Sequence, residues 1–239
     1  MASTLYSATR RYQTQLRLAA QLLGTLTILI WVPSTALQAV LLLGWWYLTF
    51  RPVEKVELIF FAGICVFFTA MNYVTLRQGI FEFTEQDLLL MPYFELFMWG
   101  FYLLHAIRML DGPTPPHRPL VIWPLALLYA AAFGLITDYT ALFLVTAGLL
   151  GVAFYFFHDR YDLAYAGYLT LVGAAIEYAG VHSGHWSYPE DPVGGVPLWF
   201  ITLWAGVGLF LRRLVLPILG HYGYDPSKGS RTASSQASD

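Results

Sequence analysis

The sequence predicts an all-α, polytopic bundle of about eight membrane-spanning helices, with both ends in the cytoplasm. Three observations predict it. Hydrophobic residues make up 57% of the 239-residue chain and charged residues only 12%, about half the usual charged fraction of a soluble domain. Too few polar residues remain to cover a water-facing surface, so the outside must face lipid. Second, apolar runs of membrane-spanning length recur along the chain, without the two-residue alternation of a barrel. Third, the basic residues fall on alternate sides of those runs.

Crossing about 30 Å of hydrocarbon takes about 20 helical residues. Helix 1 is expected at about 15–31, and helix 2 at about 34–50 beyond Val32-Pro33-Ser34. Helix 3 is expected at 55–76, helix 4 at 88–110, and helices 5 and 6 at 118–136 and 139–157 around Asp138. Helix 7 follows at 161–182 and helix 8 at 196–219. The tight links make hairpins of helices 1 and 2 and of helices 5 and 6. The first run lacks a small-x-small cleavage site before Pro33, so it reads as a retained membrane helix. Residues 1–224 read as one transmembrane domain, and the Ser-rich stretch 225–239 as a disordered cytoplasmic tail.

Arg10, Arg11, Arg17, Arg51, Lys55, Arg108, Arg118, Arg160, Arg212 and Arg213 share one side if the helices alternate. The opposite loops carry Arg77 with Glu82, Glu85, Asp87, Asp138, Glu190 and Asp191. Positive residues stay inside, which predicts a multi-pass plasma (inner) membrane protein with outward-facing acidic loops. His105, Arg108, His158, Asp159 and Arg160 read as a headgroup-anchoring fringe at the cytoplasmic boundary. The formal charge of −2 gives no reason to expect nucleic acid as a partner. The lone cysteine, Cys65, reads as a packing residue rather than a thiolate ligand.

Ionisable groups inside a bilayer are costly and mark candidate sites. Glu95 falls about seven residues into the expected helix 4, and Glu177 about five from the outer end of helix 7. At 1.5 Å per residue both lie roughly 7–11 Å below the outer boundary, and Asn72 of helix 3 joins that layer. Gly173, Glu177, Gly180 and Gly184 form one stripe on helix 7, a surface that a helix or flat ligand can approach closely. Tyr102 shares a face with Glu95, and Cys65, Thr69 and Asn72 share another on helix 3. Helix packing, with protonated carboxyls as interhelical glue, explains the same pattern.

A carboxylic acid in apolar surroundings resists ionisation, and two sharing a site resist ionising together. Such an acid can protonate a carbon–carbon double bond, and aromatic faces stabilise the resulting cation by about 0.5–2 kcal/mol each. Phe94, Phe97, Trp99 and Tyr102 surround Glu95 in sequence, and Tyr178, Trp186 and Tyr188 follow Glu177. The expected catalytic groups are therefore Glu95, Glu177 and Asn72. The expected substrate-binding groups are Trp99, Tyr102, Gly180, Gly184, Trp186 and Tyr188. No cofactor is expected. His182 and His185 are the only metal-ligand candidates, and they meet Glu177 only if helix 7 breaks.

The run Glu177-Tyr178-Ala179-Gly180-Val181-His182-Ser183-Gly184-His185-Trp186-Ser187-Tyr188, followed by Val196-Pro197-Leu198-Trp199 and Trp204, resembles a pattern in the integral-membrane carotenoid biosynthesis family. That family includes the carotenoid hydratases of bacterioruberin-type pathways. The similarity covers roughly thirty residues, with Trp186 where the pattern has a Phe-Gly pair and with two histidines it lacks. It implies a cofactor-free, redox-neutral reaction on a long polyene, with Glu177 among the acids. The expected function is thus acid–base hydration, cyclisation or isomerisation of an isoprenoid or lipid double bond. The alternatives are a proton-coupled transporter, a metal-dependent membrane hydrolase, or an accessory subunit of a membrane complex. Membrane lipids and further copies of the chain are the other expected partners.

Overall fold

The computed structural model describes residues 2–110, 112–189 and 194–224, with side chains from residue 15 onward. The expected tail at 225–239 and the loop acids Glu190 and Asp191 lie outside the described residues, as do the side chains of Arg10 and Arg11. Eight helices are present among the described residues: α1 Ala2–Trp31, α2 Thr35–Thr49, α3 Lys55–Arg77, α4 Glu95–Met109, α5 Pro119–Leu135, α6 Tyr139–Phe156, α7 Arg160–His182 and α8 Trp199–His221. α8 contains one π-helical turn, Leu211–Val215.

Local chemistry sets the ends. Ser34 caps α2 by accepting from the Leu37 N–H, and Asp138 caps α6 by accepting from Ala141 N–H at 2.7 Å. α7 begins with a reciprocal pair: Asp159 accepts from the backbone N–H of Tyr161 and Asp162, while Asp162 accepts from that of Asp159. Pro119 occupies the first turn of α5, where its missing N–H has no cost.

α3, α6 and α8 are long and apolar enough to cross a membrane, and α2, α5 and Gln15–Trp31 are shorter apolar helices. The side chains sort by neighbour rather than by polarity. α4 is buried without a break from Met98 to Ile107, whereas Val66, Leu127 and Leu144 stand exposed on the outer helices. An apolar exterior around a packed interior is the arrangement lipid requires. α4 and α7 occupy the middle: α4 packs on α3, α1 and α7, while α7 packs on α8 and α1. Glycines let α8 approach; Gly208 lies against the α7 backbone at Tyr165, where a Cβ would come within 2.4 Å of the carbonyl oxygen.

Two features differ from expectation. Residues 88–94 are apolar and read as helix, yet they form a tight turn closed by a Leu88–Met91 pair, with Leu89 and Leu90 at φ of 53° and 64°. Pro92 disfavours helical geometry at Met91 and lacks an N–H, so α4 starts only at Glu95. Glu95 is therefore the first residue of α4, not one deep within it. The second difference is a two-stranded sheet, β1 Glu82–Phe83 with β2 Trp186–Ser187, which ties the α3–α4 loop to the α7–α8 loop.

The expected fringe of headgroup anchors is corrected at His105 and Arg108, while His158, Asp159 and Arg160 are exposed. His105 is 1% exposed and is held by Gln21 and Tyr168. Arg108 makes a two-pronged pair with Glu57, at 2.8 and 2.5 Å. Arg212 and Arg213 are turned inward onto Asp159 and Asp162. A charge left near the bundle in lipid is costlier than one satisfied by an opposite charge, so these groups pair within the protein.

Candidate functional site

Glu95 and Glu177 line one cavity of about 60 Å³, together with Asn72, Tyr102, Trp186, Tyr188, Trp199 and Trp204. Glu177 is held by donors from other elements, and Glu95 by one from α3 and one from its own helix. Glu95 Oε1 accepts from Asn72 Nδ2 at 2.7 Å and from Trp99 Nε1 at 3.0 Å. Glu177 Oε2 accepts from Tyr188 O–H at 2.7 Å and Trp186 Nε1 at 3.1 Å, and its Oε1 from Trp204 Nε1 at 3.4 Å. The Trp99 and Trp204 rings stack at 4.6 Å, and Phe68 stacks on the far side of Trp99 at 4.0 Å. The two acids are thus joined through a stacked pair of indoles whose N–H groups serve one carboxyl each.

The backbone explains why these groups converge. Gly180 has no side chain where the Trp186 ring lies; a Cβ there would sit 1.9 Å from it. Gly173 does the same for Trp204, at 2.1 Å. Helix α7 ends where Gly184 takes φ +77°, and β2 then carries Trp186 back over Glu177. Thr84 N–H donates to His185 O at 2.9 Å and Thr84 Oγ1 to Gly184 O, which fixes this return from the other loop.

A second cavity of about 350 Å³ adjoins the first. Asn72, Phe81, Trp99, Trp199 and Leu203 line both. Its walls are almost wholly apolar, from α3, α5 and α8, and its size lies in the range of small-molecule sites.

No protein-family model matches the chain, and no curated protein matches it in sequence. Two solved structures match in shape. One is a mycobacterial Insig homolog, MvINS, from Mycobacterium vanbaalenii, with a TM-score of 0.62 at 12% identity. The other is a cross-linked MvINS trimer, with a TM-score of 0.62 at 13% identity. Each comparison covers 73% of this chain and 99% of that one. The chain has the MvINS fold. It is an all-α, polytopic membrane bundle, as its lipid-facing exterior requires.

The remaining expected site residues separate into two groups. Asn72, Trp99, Tyr102, Trp186 and Tyr188 all line the acid cavity. Gly180 and Gly184 do not: the first is filled by Trp186, and the second lies beyond α7, in the turn. The histidines also part company. His182 is exposed and bonds back to Tyr178 O at 2.9 Å, while His185 reaches Gln38 and Leu29 O. Among the described residues no three His, Cys, Asp or Glu side chains gather as metal ligands. Cys65 places its Sγ 3.7 Å from Phe97 O, in the α3–α4 contact. Sequence reasoning did not assign Trp204 or Phe68 to the site. The signal for Trp204 was the pairing of a small-residue stripe on α7 with large aromatics in α8, a complementarity that needs both helices in view.

Proposed function

We propose that this chain is an integral-membrane enzyme that protonates a carbon–carbon double bond of an isoprenoid or related lipid, using Glu95 and Glu177 without a cofactor. The observation that carries the reading is the meeting of two carboxyls from separate helices in one small, aromatic-walled cavity that adjoins an apolar one. The hydrogen bonds suggest the division of labour. Glu177 accepts three N–H or O–H donors, the pattern of a carboxylate acceptor. The hydrogen bonds of Glu95 described above fall on Oε1, so Oε2 is assigned the proton.

Transfer of that proton to one alkene carbon leaves a carbocation on the other, faced by the Trp99, Trp204 and Tyr102 rings. Capture by water gives an alcohol, and the surplus proton passes to a carboxylate. Attack by a second double bond closes a ring, and loss of a proton from carbon completes cyclisation or isomerisation. Each route conserves electrons, so none needs an oxidant. The resemblance to carotenoid hydratases favours a polyene substrate and the hydration branch. The positive-inside pattern supports a plasma-membrane orientation with both ends cytoplasmic. MvINS has been solved as a cross-linked trimer, which supports a homo-oligomer here.

Incubating the purified protein in heavy water with a linear isoprenoid polyene tests the reaction class. The expected product carries one solvent deuterium on carbon. A polyene recovered with no deuterium on carbon, and no change in structure, would overturn the assignment.

A further inference from the structure

Resting on the reading of Glu95 as proton donor, we infer that the larger cavity is a single-chain groove that measures the substrate. It seats one linear hydrocarbon chain without a headgroup along α8, with the reacting end against Asn72 and Trp99. Three observations support this occupant. The groove adjoins the acid cavity, since Asn72 and Trp99 line both. Its α8 wall runs from Trp199 to Val215, an advance of about 24 Å at 1.5 Å per residue. An extended chain advances roughly 1.2 Å per bond, so about 20 carbons fill it.

The third observation is the chemistry of the wall. The hydroxyls that reach it are already committed: Tyr129 donates to Thr202 O, and Thr75 to Met71 O and Asn72 O. A phosphate or sugar along the groove would therefore be desolvated without partners. One unmet donor on the wall, the Trp199 indole N–H, is buried without an acceptor and belongs to one of the residues that line both cavities. It suits the oxygen that hydration adds at the reacting end. Phe67 and Trp123 line the groove and are also exposed on the outer surface. The groove therefore opens to the bilayer between α3 and α5, and a chain longer than the groove leaves its remainder in lipid.

Binding, measured separately from turnover, tests the groove. The probes are linear isoprenoid hydrocarbons of about ten to forty carbons, competing against a radiolabelled probe of about 20 carbons on purified full-length protein. For the wild type, affinity should rise with length to about 20 carbons and then level off. Val207→Phe fills the groove about 12 Å from Trp199 and should move the plateau to about ten carbons. Ala126→Phe, from the α5 wall, should also shorten the plateau, and it keeps the test open if the first variant fails to fold. Affinity independent of length, or the same plateau in the folded variants, overturns the groove. So does tighter binding of a phospholipid of equal chain length. The acid reading is judged separately, because Glu95→Gln should retain the binding series while losing turnover. A Gln variant that still turns over sinks the acid reading and leaves the groove measurement intact.

Discussion

Two glycines hold the donors of Glu177 in place. Gly180 and Gly173 leave the volume that the Trp186 and Trp204 rings occupy, and each ring donates its N–H to Glu177. Gly180→Ala forces the Trp186 ring away, so it should cost about 1–3 kcal/mol of stability from overpacking. It should also lower turnover by more than the stability change explains, because Glu177 loses a donor. Thermal melts and rates on the same preparation check both. The comparison variant Gly184→Ala should leave the site hydrogen bonds intact, since open space surrounds that position, and its cost arises from the left-handed φ alone.

At this scale the sequence singled out the acids and four of their five donors, Asn72, Trp99, Trp186 and Tyr188, but not Trp204. Glu95, Glu177 and Asn72 stand out because ionisable and amide groups are expensive in lipid. Trp204 carries no such signature, since tryptophan is ordinary in a membrane helix. The role of Gly180 was misjudged for a related reason. A small residue marks a close approach but does not say whether ligand or side chain makes it.

Elements explain how distant segments deliver their groups to one layer. The β1–β2 pair brings Trp186 and Tyr188 over Glu177, although the strands are two residues each. Their partners lie a hundred residues apart in the chain, with no pattern linking them, so the sheet was not legible in advance. The start of α4 was misread for a clearer reason. Leu88-Leu89-Leu90-Met91 has the hydropathy of a helix, and only Pro92 argues against one. The same seven residues that were expected to be helical instead form a turn, which still leaves Glu95 in the cavity with Glu177.

The opposite end of the bundle is held by charges. The π turn of α8 lets the adjacent Arg212 and Arg213 both face α7, where Arg213 grips Asp162 at 2.7 and 2.5 Å. Asp162 is fully buried, so Asp162→Ala leaves an uncompensated buried guanidinium. A loss of about 3–5 kcal/mol is expected, read as a fall in melting temperature. Adding Arg213→Met should recover much of it, because the pair can be replaced by apolar packing.

The molecule as a whole has a basic end and an acid-bearing end, and both should be detectable. Asp159 lies at the basic end, outside the spanning part of α7. Partial burial pushes its carboxyl up, but the Asp162 and Tyr161 backbone N–H groups and the Arg212 guanidinium outweigh that and hold it below the usual carboxylate range. Its contribution to stability is therefore complete above about pH 4 and is lost as pH falls through the lowered value. Melting temperature should drop below about pH 4, and Asp159→Asn should flatten that slope.

The expected orientation, with both ends cytoplasmic, can be tested at exposed positions. Asp138 and Arg118 lie exposed at opposite ends of α5. Asp138→Cys should react with an impermeant thiol reagent on intact cells, and Arg118→Cys only after permeabilisation. The reverse labelling would invert the topology while leaving the fold unchanged. The bundle itself was plain from composition and apolar run length. The polar groups that pack inward at the basic end were not, because a charge near a helix end reads as an anchor until its partner on another helix is known.

The central claim is that Glu95 and Glu177 act as one unit in a single cavity. The most direct measurement is the turnover of Glu95→Gln, Glu177→Gln and the double variant, each confirmed as folded, on a linear isoprenoid polyene. Each single change should lower the rate by about 10²–10⁴-fold, and the double variant should be scarcely worse than the weaker single, as groups acting together are not additive. Wild-type turnover in both single variants would contradict the account.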